Sequence, residues 1–221
     1  MRSATSASIR GMELFAQFIL AAGLAWASGI RFYAVLFAFG MLARFDYVPL
    51  PDALALIEHD YVLWASGIML VGEFIADKVP WFDSAWDALH TFIRIPGGIA
   101  LAWGALGDHG PAAQFAAALI GGGIVTGTHL AKSATRATLN HSPEPFSNWT
   151  ASFAEDGLVL GGIWLLVTYP LVFLLLLVLF VLVIAWLLPK LMRGLREVFR
   201  RIRGARAQPA ETMPDATLRG P

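Results

Sequence analysis

Basic side chains follow a glycine-rich apolar run in the stretch LIGGGIVTGTHLAKSATRATLN, residues 119–140. His129, Lys132 and Arg136 are three and four residues apart, so in a helix they share one face. An earlier stretch has the same order, with Ser28-Gly29 followed two residues later by Arg31. A glycine break leaves backbone N–H groups and a positive dipole end free, which favours an anion. We therefore predict two broken helices around one anion site, with these substrate-binding residues: Gly29, Arg31, Gly127, His129, Lys132 and Arg136.

A second set of ionisable residues lies in VGEFIADKVPWFDSAWDALHTFIRIPGG, residues 71–98. Glu73 and Asp77 are four residues apart, and after a turn Asp87 and Arg94 fall on one helical face. Ionisable groups in a membrane are costly and face a pathway or each other. Three interpretations stay open. Glu73 or Asp77 pairs with Arg94, or the carboxylates and His90 carry protons or a cation, or a divalent metal binds to Glu73, Asp77, Asp83, Asp87 and His90.

Two further acidic residues, Glu155 and Asp156, stand side by side in SNWTASFAEDGLVLGG. Because they are adjacent, we expect them to point to different faces, one to a cavity and one to a partner helix. The predicted coupling or gating residues are Glu73, Asp77, His90, Arg94, Glu155 and Asp156. No cofactor is predicted, and the identity of any metal is left open because no established ligand spacing is present.

The elements that position these residues are membrane helices. The chain has 221 residues, 57% of them hydrophobic and only 14% charged, which is typical of an integral membrane protein. It has no cysteine, which excludes thiolate chemistry. A span needs roughly 20 apolar residues. Six segments qualify, at about 12–43, 59–79, 84–107, 112–139, 148–167 and 170–189.

The last two segments form one apolar run, 157–189, interrupted at Thr168-Tyr169-Pro170. We expect a tight turn there, because proline disfavours helix at the residue before it, with one kinked helix as the alternative. The fold class is thus all-α, a polytopic bundle of about six spans. The order broken helix, acidic helix, apolar helix occurs twice, which suggests a 3+3 inverted repeat with halves at about 12–107 and 112–189.

The distribution of Lys and Arg predicts an inner-membrane protein with both termini cytoplasmic and the acidic 44–60 loop outside. Residues 1–190 form the transmembrane domain. Residues 191–206 read as a basic amphipathic helix on anionic lipids, or else as an ordinary stop-transfer flank. Residues 207–221 are predicted to be disordered.

Four stretches, GEFIADKVPWFDSAWDALHTFIRIPGG, SGIRFY, HLAKSATRA and AED, together resemble the bacterial membrane proteins of domain-of-unknown-function family 4126. The resemblance covers roughly residues 12–190. It implies a membrane location, and it transfers no activity and no site residue.

The favoured function is a small transporter or flippase for an anionic substrate, either a phosphorylated lipid or an organic anion. One alternative is an intramembrane enzyme that acts on lipid with the 73–94 cluster, and another is an accessory subunit without a site of its own. The lipid bilayer is the expected partner, a homodimer is compatible with the sequence, and nucleic-acid binding is not expected.

Overall fold

The computed structural model describes residues 2–139 and 145–206, and in these residues the chain is helical without strands. The predicted tail at 207–221 lies outside the described residues. Two short 3-10 helices occupy Asp52–Glu58 and Gly107–His109. The long helices are α1 Arg2–Arg44, α2 Asp60–Ala76, α3 Pro80–Gly104, α4 Pro111–Leu139, α5 Pro145–Thr168 and α6 Pro170–Arg206. The all-α bundle is confirmed, and its long helices follow the six apolar segments in order.

Proline marks the start of four of these helices, at Pro80, Pro111, Pro145 and Pro170. Proline suits the first position of a helix because its missing N–H has no intrahelical acceptor there, and its φ is already helical. The α2 helix begins differently, with the His59 side chain accepting a hydrogen bond from the backbone N–H of Tyr61. Local sequence therefore sets most helix starts.

The apolar surface of the bundle identifies a membrane protein. In the described residues, three helices are long and apolar enough to cross a membrane, Ser8–Arg44, Phe146–Thr168 and Pro170–Leu187. The bent pair Asp52–Glu58 and Asp60–Ala76 would make a fourth. The apolar part of α6 exposes most of its leucines and valines. A continuous apolar surface of this kind is unfavourable in water and favourable in contact with lipid. The count of six spans stays a prediction.

The core of the bundle is built around α1, whose apolar window is 83% buried. Leu24, Val35 and Phe39 are fully buried there, together with Val125 of α4 and Val159 of α5. The α3, α4 and α5 helices surround this helix, so any residue of α1 that is not apolar must find its partners inside the protein.

The α1 helix reverses its direction at Arg31, which has non-helical backbone angles, φ −142° and ψ 78°. Gln17, near the start of α1, and Pro49, five residues after the end of α1 at Arg44, line one cavity of about 460 Å³ and are therefore close in space. In a straight helix, residue 17 and Arg44 would be roughly 40 Å apart at 1.5 Å per residue. The two halves of α1 must therefore fold back on each other, with Arg31 at the tip.

Contacts beyond the tip support the same arrangement. A side chain added at Gly40 would meet the backbone carbonyl of Ile57, and one added at Gly104, the end of α3, would meet Leu54. Both ends of α1 thus lie at the same end of the bundle. The expectation that the start of α1 and the 44–60 loop lie at opposite ends is wrong, because the helix break predicted near Ser28-Gly29 is a reversal and not a slight bend.

The second predicted break is absent. The α4 helix is continuous from Pro111 to Leu139, through Thr126-Gly127. Its glycines serve packing, since a side chain at Gly121 would meet the methyl groups of Ala25 and Ala102. Only one of the two expected broken helices exists, so the two halves of the chain differ at the point where the inverted repeat required them to agree.

The turn between α5 and α6 is confirmed. Gly162 of α5 packs against the Trp26 ring, and the rings of Phe173 and Phe180 of α6 lie 5.6 and 6.1 Å from the same ring. Along one continuous helix residues 162 and 180 would be roughly 27 Å apart. Because both contact one tryptophan, the chain must turn back at Tyr169.

Residues up to Ala185 belong to one compact unit, and the unit that follows begins at Trp186. In this second unit the helix continues through Pro189 to Arg206. Lys190 Nζ lies 3.2 Å from the centre of the Trp186 ring, and Arg193 Nε donates to the carbonyl of Pro189. A tryptophan beside a lysine is typical of a membrane–water interface.

Candidate functional site

Charged side chains from five helices converge on the reversal of α1. Ion pairs with N–O distances of 2.5 to 3.9 Å connect them. Except for Glu155 and Asp156, these side chains are at most 5% exposed. We call this set the charge network; it consists of Arg31, Glu73, Asp77, Asp87, Arg94, Lys132, Arg136, Glu155 and Asp156.

Arg31 joins α1 to α2 and α5. Its Nη1 lies 2.7 Å from Asp77 Oδ2 and its Nε lies 2.8 Å from Asp156 Oδ1. Its Nη2 donates to Ser152 Oγ at 3.0 Å and lies 3.9 Å from Glu155 Oε2. The planar guanidinium offers five donors in fixed directions, so one side chain at the tip can hold two helices.

This arrangement corrects the expectation for the adjacent acids. Glu155 and Asp156 do not face a cavity and a partner helix separately, because both carboxylates reach Arg31. The breadth of the guanidinium fork explains the difference, since it spans the angle between two neighbouring positions of α5.

Lys132 lies at the centre of the charge network. Its Nζ lies 3.4 to 3.9 Å from carboxylate oxygens of Glu73, Asp77, Asp87 and Glu155. It also donates to the backbone carbonyl of residue 30 at 3.2 Å. That carbonyl belongs to the last turn before the break, where a helix has free acceptors and a negative dipole end. The break thus supplies part of the site with carbonyl oxygen and not only with N–H groups.

Arg136 connects the end of α4 to α5 and α2. Its Nε and Nη2 donate to the two oxygens of Glu155 at 2.8 and 2.9 Å, a bidentate pair. Its Nη2 also lies 3.3 Å from Asp77 Oδ2. Arg31, Lys132 and Arg136 therefore share the same carboxylates, so a change at one cation affects the partners of the other two.

Arg94 has the acidic partner that the sequence predicted. Its Nη2 lies 2.5 Å from Glu73 Oε1, and its Nη1 donates to Asp87 Oδ1 at 2.7 Å. The pairing with Glu73 is confirmed, whereas Asp77 pairs with Arg31 and Arg136 instead. Asp87 stands seven residues before Arg94 on the same face, which was the signal for this partner.

Acidic groups outnumber basic ones around the network. Asp83 of α3 is also buried and lies close to Asp77. In the described part of the chain, six acids thus surround four cations.

The two predicted histidines lie at the margin of the network. His129 Nε2 is 2.7 Å from Thr91 Oγ1, and Thr91 donates to the Asp87 carbonyl, so this contact connects His129 to the network through α3. His90 stacks on Trp86 at 4.1 Å and binds the Trp86 carbonyl through Nδ1. His90 thus belongs to an aromatic cluster, apart from the carboxylates.

The two glycines of the predicted anion site have different roles. A side chain at Gly29 would come within 2.7 Å of Thr128 Cβ and 2.8 Å of the Val125 carbonyl, so α1 and α4 are in backbone contact there. A side chain at Gly127 would meet only Ile184, at 4.0 Å. Gly29 is required for helix packing and not for the approach of a ligand, because only glycine permits this backbone distance.

A divalent-metal site is not formed by the acidic residues. Among the residues that the structure describes, no group of three or more His, Cys, Asp or Glu side chains could hold a metal ion. Of the carboxylates that the sequence offered as ligands, Glu73, Asp77 and Asp87 pair with Arg31, Arg94, Lys132 and Arg136 instead. The alternative of an intramembrane enzyme requires carboxylates of the 73–94 cluster as general acids or bases. In this structure Glu73 and Asp87 of that cluster are paired with Arg94.

Asn148 is a site residue that the sequence did not single out. Its carbonyl accepts from Arg136 Nη1 at 3.2 Å, and its side chain is fully buried. Neither the nitrogen nor the oxygen of its amide has a hydrogen-bond partner among the described residues. Ser152 was missed as well. Both lie one turn apart on the α5 face that leads to Glu155 and Asp156, and this spacing was the available signal.

The charge network is open at one edge. Glu155 is 14% exposed and Asp156 is 25% exposed. A cavity begins at the next residue, Gly157, and runs between α5 and α6 past Trp26. Access to the cations therefore passes the two acids of α5.

The part of the chain that contains this site matches a known protein family. A family model described as Domain of unknown function (DUF4126) matches residues 18–190. The chain belongs to this family. All members of the charge network lie inside the region that the DUF4126 model matches. No curated protein and no solved structure matches the chain.

Proposed function

We propose that this protein is a small membrane transporter for an anionic substrate and that the charge network is its binding and coupling site. The observation that carries the proposal is the set of four buried cations whose accessible edge is formed by two carboxylates, Glu155 and Asp156. Ionisable groups placed so deeply are typical of substrate pathways and proton relays.

The mechanism is an exchange of partners. Every cation is paired with a carboxylate in this state, so an entering anion must take the place of one of them. A displaced carboxylate left buried without a partner would be strongly unfavourable, unless it takes up a proton. One proton thus accompanies each negative charge that binds, and the site keeps its total charge.

Asp156 is the first carboxylate to exchange, because it is the most exposed member of the network and pairs with Arg31 alone at close range. Asn148 supports a polar ligand beside Arg136. Buried polar groups nearly always have hydrogen-bond partners, and an unpaired amide next to a cation is a donor that an anion could use.

We also propose an orientation, which the arrangement of charges at the two ends of the bundle supports. The end that holds the start of α1 also holds the acidic residues of the 44–60 loop and Asp108, whereas Lys78 lies in the turn at the other end. Eight of the sixteen Lys and Arg residues stand at or after Lys190, which follows the apolar part of α6. By the positive-inside rule we place the start of α1 outside and Lys78 inside, in a bacterial inner membrane, with residues 191–206 on anionic lipids.

The test uses the full chain in liposomes that contain a trapped pH dye. External radiolabelled methyl phosphate should enter together with protons in the wild type. Lys132→Gln should reduce uptake to background, because it removes the central cation. Asp156→Asn should retain uptake with fewer protons per anion, because its amide needs no proton when displaced.

Arg44→Gln is the matched control, since Arg44 pairs with Asp60 at the exposed edge, outside the network. It should transport like the wild type. A wild type that moves no methyl phosphate, or a folded Lys132→Gln that moves it unchanged, contradicts the proposal. In the second case the network would only hold the helices together.

A further inference from the structure

The cavity between α5 and α6 adjoins the open edge of the charge network. It has a volume of about 490 Å³, within the range of small-molecule sites. Residues 157–165 of α5 and 173–180 of α6 line it together with Trp26, and nearly all of its wall is glycine, leucine or aromatic. Its lining along α5 is roughly 12 Å long at 1.5 Å per residue.

The open edge of the charge network, formed by Glu155 and Asp156, and the cavity follow one another along α5. Glu155, Leu158, Gly162 and Leu165 follow one another at helical spacing, and the last three line the cavity. Glu155 reaches the cations at one end, and Gly162 contacts Trp26 further along. A molecule that lies along this face would have one end among charges and the rest against hydrocarbon.

We infer that the substrate is an amphiphile, a phosphate monoester of a long hydrocarbon chain, with its chain in this cavity and its phosphate at Arg31. This inference rests on the proposed function and names the substrate class of the same site. The phosphate replaces Asp156 at the Arg31 guanidinium, whose paired donors match phosphate oxygens. The chain replaces lipid in a cavity that opens to the side of the bundle.

Two glycines leave room for the chain. Side chains added at Gly157 and Gly161 would meet nothing within 4 Å, although both residues line the cavity. A Cβ at Gly161 would thus meet no neighbour, and Gly161→Leu places its side chain in the cavity. Gly123→Leu is the matched control, because Gly123 also has nothing within 4 Å and lies on α4, away from the cavity.

The test uses a photoactivatable dodecyl phosphate in nanodiscs of neutral lipid. Cross-links should form in 157–165 and 173–180, and dodecyl phosphate should compete where dodecanol does not. Gly161→Leu should weaken dodecyl phosphate binding about tenfold, as expected for the loss of two buried methylene groups. Gly123→Leu should bind it unchanged and should transport methyl phosphate like the wild type.

The outcomes separate this inference from the proposed function. If methyl phosphate is transported but dodecyl phosphate binds no better than dodecanol, or Gly161→Leu binds it like the wild type, the inference is wrong and the transporter stands. If neither phosphate binds or moves, both are wrong. Preferential binding that is lost only in Gly161→Leu supports the inference.

Discussion

At Arg31 a single guanidinium contacts carboxylates from two helices while its backbone ends one half of α1 and begins the other. Arg94 has a different environment, with two carboxylates from α2 and α3 and full burial. At the scale of one residue, the network thus contains two kinds of arginine. Arg31 is near the open edge and can exchange a partner, whereas Arg94 is enclosed and holds helices together.

Substitution of Arg94 should therefore lower the stability of the protein, because this enclosed arginine holds helices together. Arg94→Met removes the closest cation of Glu73 and Asp87 and leaves them only Lys132, at 3.7 and 3.4 Å, which should cost about 3–5 kcal/mol of unfolding free energy. Adding Glu73→Gln to Arg94→Met should recover part of that loss. Unfolding of the purified protein in mixed micelles measures both.

Arg44→Met is the control for this experiment, because its pair with Asp60 is exposed and little loss is expected. If Glu73→Gln gives no recovery in the Arg94→Met background, Glu73 is not the partner that balances the buried charge.

The pairing of Arg94 could be predicted because Glu73 and Asp87 are near it in sequence and on matching helical faces. The partners of Arg31 could not, since Ser152 is 121 residues away and no periodic pattern connects the two. The sequence therefore marked most of the buried charged residues and mistook their grouping. From the sequence we assigned the basic residues to the binding of an anion and the acidic residues to coupling, whereas in the structure the two groups form ion pairs with each other.

At the scale of the helix, glycine has two uses that look alike in sequence. At Gly29 it permits backbone contact between α1 and α4, and at Gly127 it lies in an unbroken helix with space beside it. From the sequence we interpreted both glycines as helix breaks, because each precedes a basic residue. The actual break falls at Arg31, whose buried ion pairs compensate for the lost helical hydrogen bonds.

This difference predicts unequal effects of the same substitution. Gly29→Ala should destabilise the protein by roughly 1–3 kcal/mol, because the new methyl group would overlap a backbone carbonyl that cannot move freely. Gly127→Ala should have little effect or stabilise slightly, since alanine is the better helix former. Thermal unfolding of both variants in detergent compares them directly, and equal losses would contradict the assigned roles.

At the scale of the whole molecule, the fold-back of α1 changes the topology that hydropathy suggests. A 37-residue apolar helix, Ser8–Arg44, looks like one crossing from one side to the other. Because its ends lie at the same end of the bundle, it has no net crossing. Hydropathy measures the length of an apolar segment and contains no information about a reversal within it.

The topology can be tested by single-cysteine labelling, since the chain has no cysteine of its own. Ser8→Cys, Tyr47→Cys and Asp108→Cys should react with a membrane-impermeant maleimide from the same side. Val79→Cys, in the turn between α2 and α3, should react only from the other side. Labelling of Ser8→Cys and Tyr47→Cys from opposite sides would restore the topology expected from the sequence.

The reversal at Arg31 also has a consequence for biosynthesis. Arg31 enters the membrane early, but Ser152 and the acids that follow it are made 121 residues later. At about 5–20 residues per second, the ribosome needs roughly 6 to 25 s to produce them. During this interval the tip of α1 holds a cation that lacks its α5 partners, so the nascent bundle stays incomplete until α5 docks. Ribosomes stalled before residue 152 should therefore carry chains that membrane proteases degrade, whereas chains released after residue 168 should resist them.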